Sequence, residues 1–180
     1  MKKMVSLHGK NFRRFIGQED IQQRVGELAS VLRMQYEGKR PLFIGILNGA
    51  FIFAADLLRA YGEECDIAFV RLSSYEGTAS TGKINTVIGL EASDIEGRDI
   101  VVVEDIVDSG RTLSEFVSTL KQHNPASVAV AACFLKPEAL HFDIRPELVG
   151  FSIPNAFIVG YGLDYDGLGR NLPSVYQLIE

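Results

Sequence analysis

Cysteine is scarce in this sequence: Cys65 and Cys133 are the two, far apart and outside any close-spaced pair. That excludes a disulfide scaffold and a cysteine-built zinc or redox motif, and it predicts two free thiols. Histidine is nearly as sparse. His8, His123 and His141 fall at no metal-ligand spacing and have no carboxylate partner visible in sequence, so neither a zinc centre nor histidine catalysis is expected. Positive charge is outnumbered, with 18 Lys and Arg against 23 Asp and Glu and a formal net charge of -5. Such a chain lacks the overall field that helps hold proteins on nucleic acid or an anionic membrane, so any phosphate must be gripped by local devices. Long apolar runs are missing as well. No stretch reaches the roughly 18 residues of a bilayer span, and Lys2, Lys3 and Lys10 are followed by no continuous apolar segment of the secretory kind. The expectation is a cytoplasmic protein with no membrane or nucleic-acid partner. Repeats, linkers and low-complexity tracts are also lacking.

What is there is a chain of 180 residues, 47% hydrophobic and 23% charged. A chain of this size buries roughly two-thirds of its unfolded surface in one core, so a single domain over 1–180 is expected. Ile21, Val25, Leu28, Val31 and Leu32 recur at helical spacing and predict an amphipathic helix over 18–36. A short apolar run, PLFIGIL at 41–47, predicts a strand. The alanines and leucines after it predict a helix ending at Gly62. DIAFVRL (66–72) alternates like a strand, and the polar SSYEGTASTGK after it reads as a surface loop. Strands are then expected at INTVIGL (84–90), IVVVEDIV (100–107), SVAVAACFLK (127–136), LVGFSI (148–153) and AFIVGYG (156–162), with a helix from about Thr112 to His123. Near-continuous apolar strands alternating with helices point to a parallel sheet covered on both faces, a doubly wound α/β fold.

The chemistry concentrates in VVVEDIVDSGRTL, residues 101–113. Two adjacent carboxylates, Glu104 and Asp105, end a buried strand. Asp108 follows, and Ser109-Gly110-Arg111-Thr112 opens a helix. In open α/β sheets ligands bind beyond the carboxyl ends of strands, and the free N–H groups of a helix N-terminus favour phosphate. Gly110 permits close backbone approach, and the Ser109 and Thr112 hydroxyls add donors. Glu104 and Asp105 are then placed for ribose hydroxyls or magnesium. The plainer alternative makes Asp108 and Ser109 a helix cap and the two acids a solvated strand end.

This string resembles the phosphoribosyl pyrophosphate motif of the type I phosphoribosyltransferases, two acids in an apolar strand followed by D-[ST]-G-[KR]-T. Three further segments resemble the hypoxanthine-guanine phosphoribosyltransferase family, so the likeness covers roughly residues 40 to 172. LNGA (47–50) resembles that family's pyrophosphate loop, which implies a cis peptide between Leu47 and Asn48 and diphosphate recognition by the backbone of Leu47, Asn48 and Gly49. Asn48 stands where relatives often carry Lys or Arg. Ser74 and Tyr75 match the Ser-Tyr pair of a lid that closes over the reaction. The G-T-A-S-T-G-K beside them is a near match to a P-loop, but Ile84 replaces the required Ser or Thr and a strand-like segment follows, so the nucleotide triphosphatase reading is rejected. Lys136 matches the lysine that donates to the purine O6. FIVGYGLDYDGLGR (157–170) matches the purine-binding end, with Phe157 stacking on the base, Ile158 contacting it through its backbone, Asp164 meeting a second magnesium and Arg170 contacting pyrophosphate. Without the resemblance Lys136 would read as a solvated strand-end lysine and Phe157 as core packing.

The resemblance implies the type I phosphoribosyltransferase fold: a central, mostly parallel sheet, flanking helices and a small hood. It implies a magnesium-dependent purine salvage enzyme acting on phosphoribosyl pyrophosphate and hypoxanthine or guanine, assembled as a homodimer or homotetramer. Glu104, Asp105 and Asp164 would be the metal ligands, and Asp108, beside N7 of the base, the general base or acid. Two alternatives stay open. One is a xanthine-preferring enzyme, and the other is an RNA-binding regulator on the same fold, although regulators usually lack the FIVGYGLDY segment.

Overall fold

The computed structural model describes residues 3–72 and 90–179. In chain order its elements are β1 (Met4–Leu7), β2 (Lys10–Ile16), α1 (Gln18–Gln35), β3 (Leu42–Leu47), α2 (Phe51–Tyr61), β4 (Asp66–Arg71), α3 (Ala92–Ile95), β5 (Asp99–Val107), α4 (Arg111–Lys121), β6 (Ser127–Leu135), a 3-10 turn (Pro137–Ala139), β7 (Leu148–Ser152), β8 (Ile158–Val159) and β9 (Val175–Leu178). The strand expected at 84–90 lies outside the described residues except for Leu90, and so do Ser74, Tyr75 and the P-loop-like stretch.

Five strands in the order β4-β3-β5-β6-β7 form an entirely parallel sheet. Side-chain alternation divides its apolar residues between two cores. Phe43, Val101, Val103, Ala131 and Cys133 point to one face, where α1 and α2 add Ile21, Val25, Leu28, Leu32, Phe53, Leu57 and Tyr61. Leu42, Ile44, Ile46, Ile100, Val102, Val130 and Ala132 point to the other, covered by Leu113, Phe116, Val117 and Leu120 of α4. Gly62 ends α2 in the left-handed conformation, φ 68°, as its position in the sequence implies. Val31 departs from the expected stripe of α1 and is 45% exposed, while Ala29 is buried in its stead.

A second, antiparallel sheet in the order β1-β2-β9-β8 forms a small hood. Its strands are short, and β2 buries only Phe12 and Ile16 of KNFRRFI. No helix among the described residues is long and apolar enough to cross a membrane. Both cysteines are free thiols, Cys133 buried and Cys65 half-buried.

Candidate active site

The parallel sheet reverses its winding between β3 and β5. From β3 the chain moves outward to β4, then returns to the other side of β3 as β5 and continues outward through β6 and β7. The carboxyl ends of these strands flank the crevice in which such sheets hold ligands. LNGA follows β3 and EDIVDSGRT completes β5 and enters α4, so topology brings the two sequence motifs together.

They touch. The Leu47–Asn48 peptide bond is cis, as the sequence resemblance implies. Gly49 lies so close to β5 that a Cβ there would overlap the Asp105 carboxylate, which leaves glycine as the residue that fits. Asp105 Oδ1 accepts its neighbour Ile106 N–H at 2.8 Å. Burial pushes the Glu104 carboxyl well above the usual carboxylate range, and the adjacent Asp105 carboxylate pushes it the same way. Two crowded carboxylates at a strand end offer hard oxygen donors of the kind magnesium takes, usually one or two of them completed by substrate phosphates. Among the described residues no three His, Cys, Asp or Glu side chains converge as a ready-made metal cage.

Beyond β5, Gly110 takes φ 83° and α4 begins at Arg111, one residue before the expected start. The Ser109 carbonyl accepts the N–H groups of His141 (3.0 Å) and Phe142 (3.2 Å), which fixes the turn, and Ser109 Oγ accepts Arg111 N–H at 3.4 Å. A Cβ on Gly110 would meet Ile144 Cγ2 at 2.6 Å and Leu140 Cδ1 at 2.9 Å. Glycine is thus required by its left-handed backbone and by the apolar cover behind the loop, in addition to any close ligand approach. Arg111 and Thr112 are exposed, with Arg111 pairing to Glu115 at 3.1 Å.

Val107 and Leu135 are register partners at the ends of β5 and β6, and Lys136 N–H donates to the Val107 carbonyl at 2.9 Å. Adjacent strand ends therefore deliver Asp108 and Lys136 side by side, with Nζ 3.1 Å from Oδ2. Lys136 is only 8% exposed, so it is not the solvated lysine that isolated sequence reading favours. Phe157, likewise, is not core packing: it is 47% exposed and edge-on to Tyr165, ring centroids 5.6 Å apart. Ile158 buries its side chain and pairs through β8 with Gln177.

Arg170 and Asp164 are joined, Nη2 to Oδ1 at 2.7 Å, while Asp164 Oδ2 accepts Gly167 N–H at 2.8 Å and Arg170 Nη1 donates to the Gly162 carbonyl at 2.6 Å. Both oxygens of Asp164 are thus engaged within the chain. The sequence reading did not single out Tyr161, Gly162 or Asp56, although the structure ties all three into this loop. Two glycines flanking a tyrosine were the available signal.

Residues 17–166 match the family described as the phosphoribosyl transferase domain. The chain belongs to that family. A hypoxanthine-guanine phosphoribosyltransferase of Aquifex aeolicus is 39% identical to this phosphoribosyl transferase chain over 177 residues, covering 97% of the chain and 99% of the relative. A bifunctional TilS/HprT protein of Listeria monocytogenes is 41% identical over 171 residues, 94% of this chain, which spans only 26% of that longer relative. Among solved structures, a hypoxanthine-guanine phosphoribosyltransferase of Bacillus anthracis superposes with a TM-score of 0.83 at 37% identity, covering 93% of this chain and 96% of that one. The doubly wound sheet with its hood is therefore the type I phosphoribosyltransferase fold.

Proposed function

We propose that this chain serves purine salvage, transferring the 5-phosphoribosyl group of phosphoribosyl pyrophosphate to N9 of hypoxanthine or guanine and releasing pyrophosphate. The observation that carries the reading is the Lys136–Asp108 pair, because a 6-oxopurine presents O6 and N7 side by side on one edge. An ammonium, which only donates, suits O6, and a carboxylate suits a proton at N7. As N9 bonds to C1 of the sugar, the bond from C1 to the diphosphate breaks and the N7 proton passes to Asp108. Exposed Phe157 offers a face on which the base stacks, with the Ile158 backbone beside it.

The 5-phosphate falls to the Ser109–Thr112 turn and the first N–H groups of α4. The diphosphate falls to the backbone of Leu47, Asn48 and Gly49 and to Arg170. Backbone recognition tolerates Asn48 in place of a basic residue. Glu104 and Asp105 would hold magnesium, and Asp164 would meet a second ion. Bound magnesium supplies neutralisation of the diphosphate charge. The protein works in the cytoplasm as a homodimer or homotetramer. The names of the Aquifex and Bacillus relatives support the choice of base.

Calorimetric titration of the protein with phosphoribosyl pyrophosphate in magnesium buffer tests the reading. Saturable binding that is lost when magnesium is chelated is expected, and no heat of binding at any concentration would contradict it.

A further inference from the structure

Gly160, Tyr161 and Gly162 are three consecutive residues at positive φ, 101°, 51° and 99°. Glycine enters this region freely, but a tyrosine there is strained and persists only where its surroundings over-determine it. The determinants are visible. Tyr161 N–H donates to the Leu172 carbonyl at 2.8 Å, and the ring is buried, 3% exposed. Its hydroxyl donates to Asp56 Oδ2 at 2.8 Å, on the helix that follows the LNGA loop. The same carboxylate accepts Gln22 Nε2 of α1 at 2.8 Å and faces Arg59 at 3.3 Å, so its position is fixed from a second helix. Burial holds the Tyr161 phenol well above its usual ionisation range, and it stays a donor.

The next residue makes this anchor matter. Gly162 lies directly on Gly49, close enough that a Cβ would overlap the Gly49 carbonyl oxygen, and the Gly162 carbonyl takes Arg170 Nη1 at 2.6 Å. One residue thus abuts the Gly49 backbone and holds the Arg170 guanidinium, the two groups assigned to the diphosphate. Lys136 and Phe157 are held elsewhere, by β6 and by β8 with β9.

We propose that Tyr161, through its hydroxyl bond to Asp56, is a positioning residue that locks the Gly162 peptide against the LNGA loop and so aligns the diphosphate half of the site while leaving the purine half untouched. The inference rests on the phosphoribosyl-transfer reading, and wild-type turnover checks that reading separately.

The test compares Tyr161→Phe, Asp56→Ala, Asp56→Asn and the double variant Tyr161→Phe/Asp56→Ala by steady-state kinetics and by calorimetry with magnesium and phosphoribosyl pyrophosphate. Tyr161→Phe keeps the ring and the backbone, and it is expected to lower kcat/KM for phosphoribosyl pyrophosphate by about 10-fold or more, while KM for hypoxanthine stays within about 2-fold. Asp56→Ala should match it, and the double variant should be no worse than either single one. Asp56→Asn keeps an acceptor oxygen and should retain most of the wild-type value. Equal losses for both substrates, additive losses in the double variant or failure of Asp56→Asn to rescue would each overturn the proposal, as would unchanged kinetics in Tyr161→Phe. If Tyr161→Phe does not fold, the contrast between Asp56→Asn and Asp56→Ala decides alone. An inactive wild type would instead sink the underlying reading.

Discussion

Lys136 Nζ stands 3.1 Å from Asp108 Oδ2, although the two residues are 28 positions apart in the chain. Parallel pairing of β5 with β6 creates the contact, because each residue follows the last register pair of its strand. A buried ammonium beside a more exposed carboxylate makes a donor and an acceptor available on one edge.

In the proposed reading, base selection follows from that donor. Adenine presents an amino group where hypoxanthine presents O6, so Lys136 faces another donor and adenine should be a poor substrate. Glutamine can accept as well as donate. Lys136→Gln should narrow the hypoxanthine-to-adenine ratio of kcat/KM values by roughly 5- to 150-fold, the range of about 1 to 3 kcal/mol for an unmet buried hydrogen bond. Equal loss with both bases would place selection elsewhere.

The proposed mechanism gives proton transfer to Asp108. Asp108→Asn keeps an acceptor near Lys136 but removes the basic oxygen, so kcat should fall by about 10² or more while phosphoribosyl pyrophosphate still binds. Pre-steady-state turnover with a calorimetric control separates the two effects. An undiminished kcat would remove Asp108 from the chemistry.

Much of this site is legible in sequence because it is local. Residues 101–113 contain a strand, its terminal acids, the turn and the helix start in one run, and the structure keeps that order in β5 and α4. The parallel strands are legible for a similar reason, since LFIGIL and the VAVAACFL that follows Ser127 are apolar runs, largely buried on both faces. The hood is not. β1 and β2 form a short local hairpin, but β2 then pairs with β9 across nearly the whole chain, Phe12 with Leu178. No local window contains that partner. AFIVGYG likewise reads as one long strand, but pairing stops after Val159 because the next three residues turn to positive φ. Exposure of Phe157 and burial of Lys136 reverse what each residue type suggests alone, since both depend on neighbours distant in sequence.

Phe157 gives a third expectation. Stacking of a base on an aromatic ring is worth about 1 to 3 kcal/mol, so Phe157→Ala should weaken purine binding by roughly 5- to 150-fold. A ring already 47% exposed costs little to remove from the fold, and the thermal midpoint should move far less than it would for a core phenylalanine. Unchanged purine affinity in the folded variant would assign Phe157 to the hood surface.

Acid stability offers a check away from the active site. Asp66 lies between Arg98 and Arg40, each 2.6 Å away, and the Arg98 hydrogen bond leads in holding its carboxyl below the usual range. A depressed folded pKa contributes stability above the unfolded value of about 3.9, and that stability is lost as pH falls through the folded value. Arg98→Gln should therefore lower the thermal midpoint slightly at neutral pH, the pair being partly open to solvent, and the gap to wild type should close below about pH 4. A gap that persists undiminished to pH 3 would contradict the assignment.

Phosphoribosyl transfer is measured by incubating the protein with magnesium, phosphoribosyl pyrophosphate and one base at a time, hypoxanthine, guanine, xanthine or adenine, and quantifying the nucleoside monophosphate and pyrophosphate released. Equimolar nucleotide and pyrophosphate are expected from hypoxanthine and guanine, with adenine turned over far more slowly. Absence of nucleotide with every base, or adenine used as readily as hypoxanthine, would contradict the proposed function.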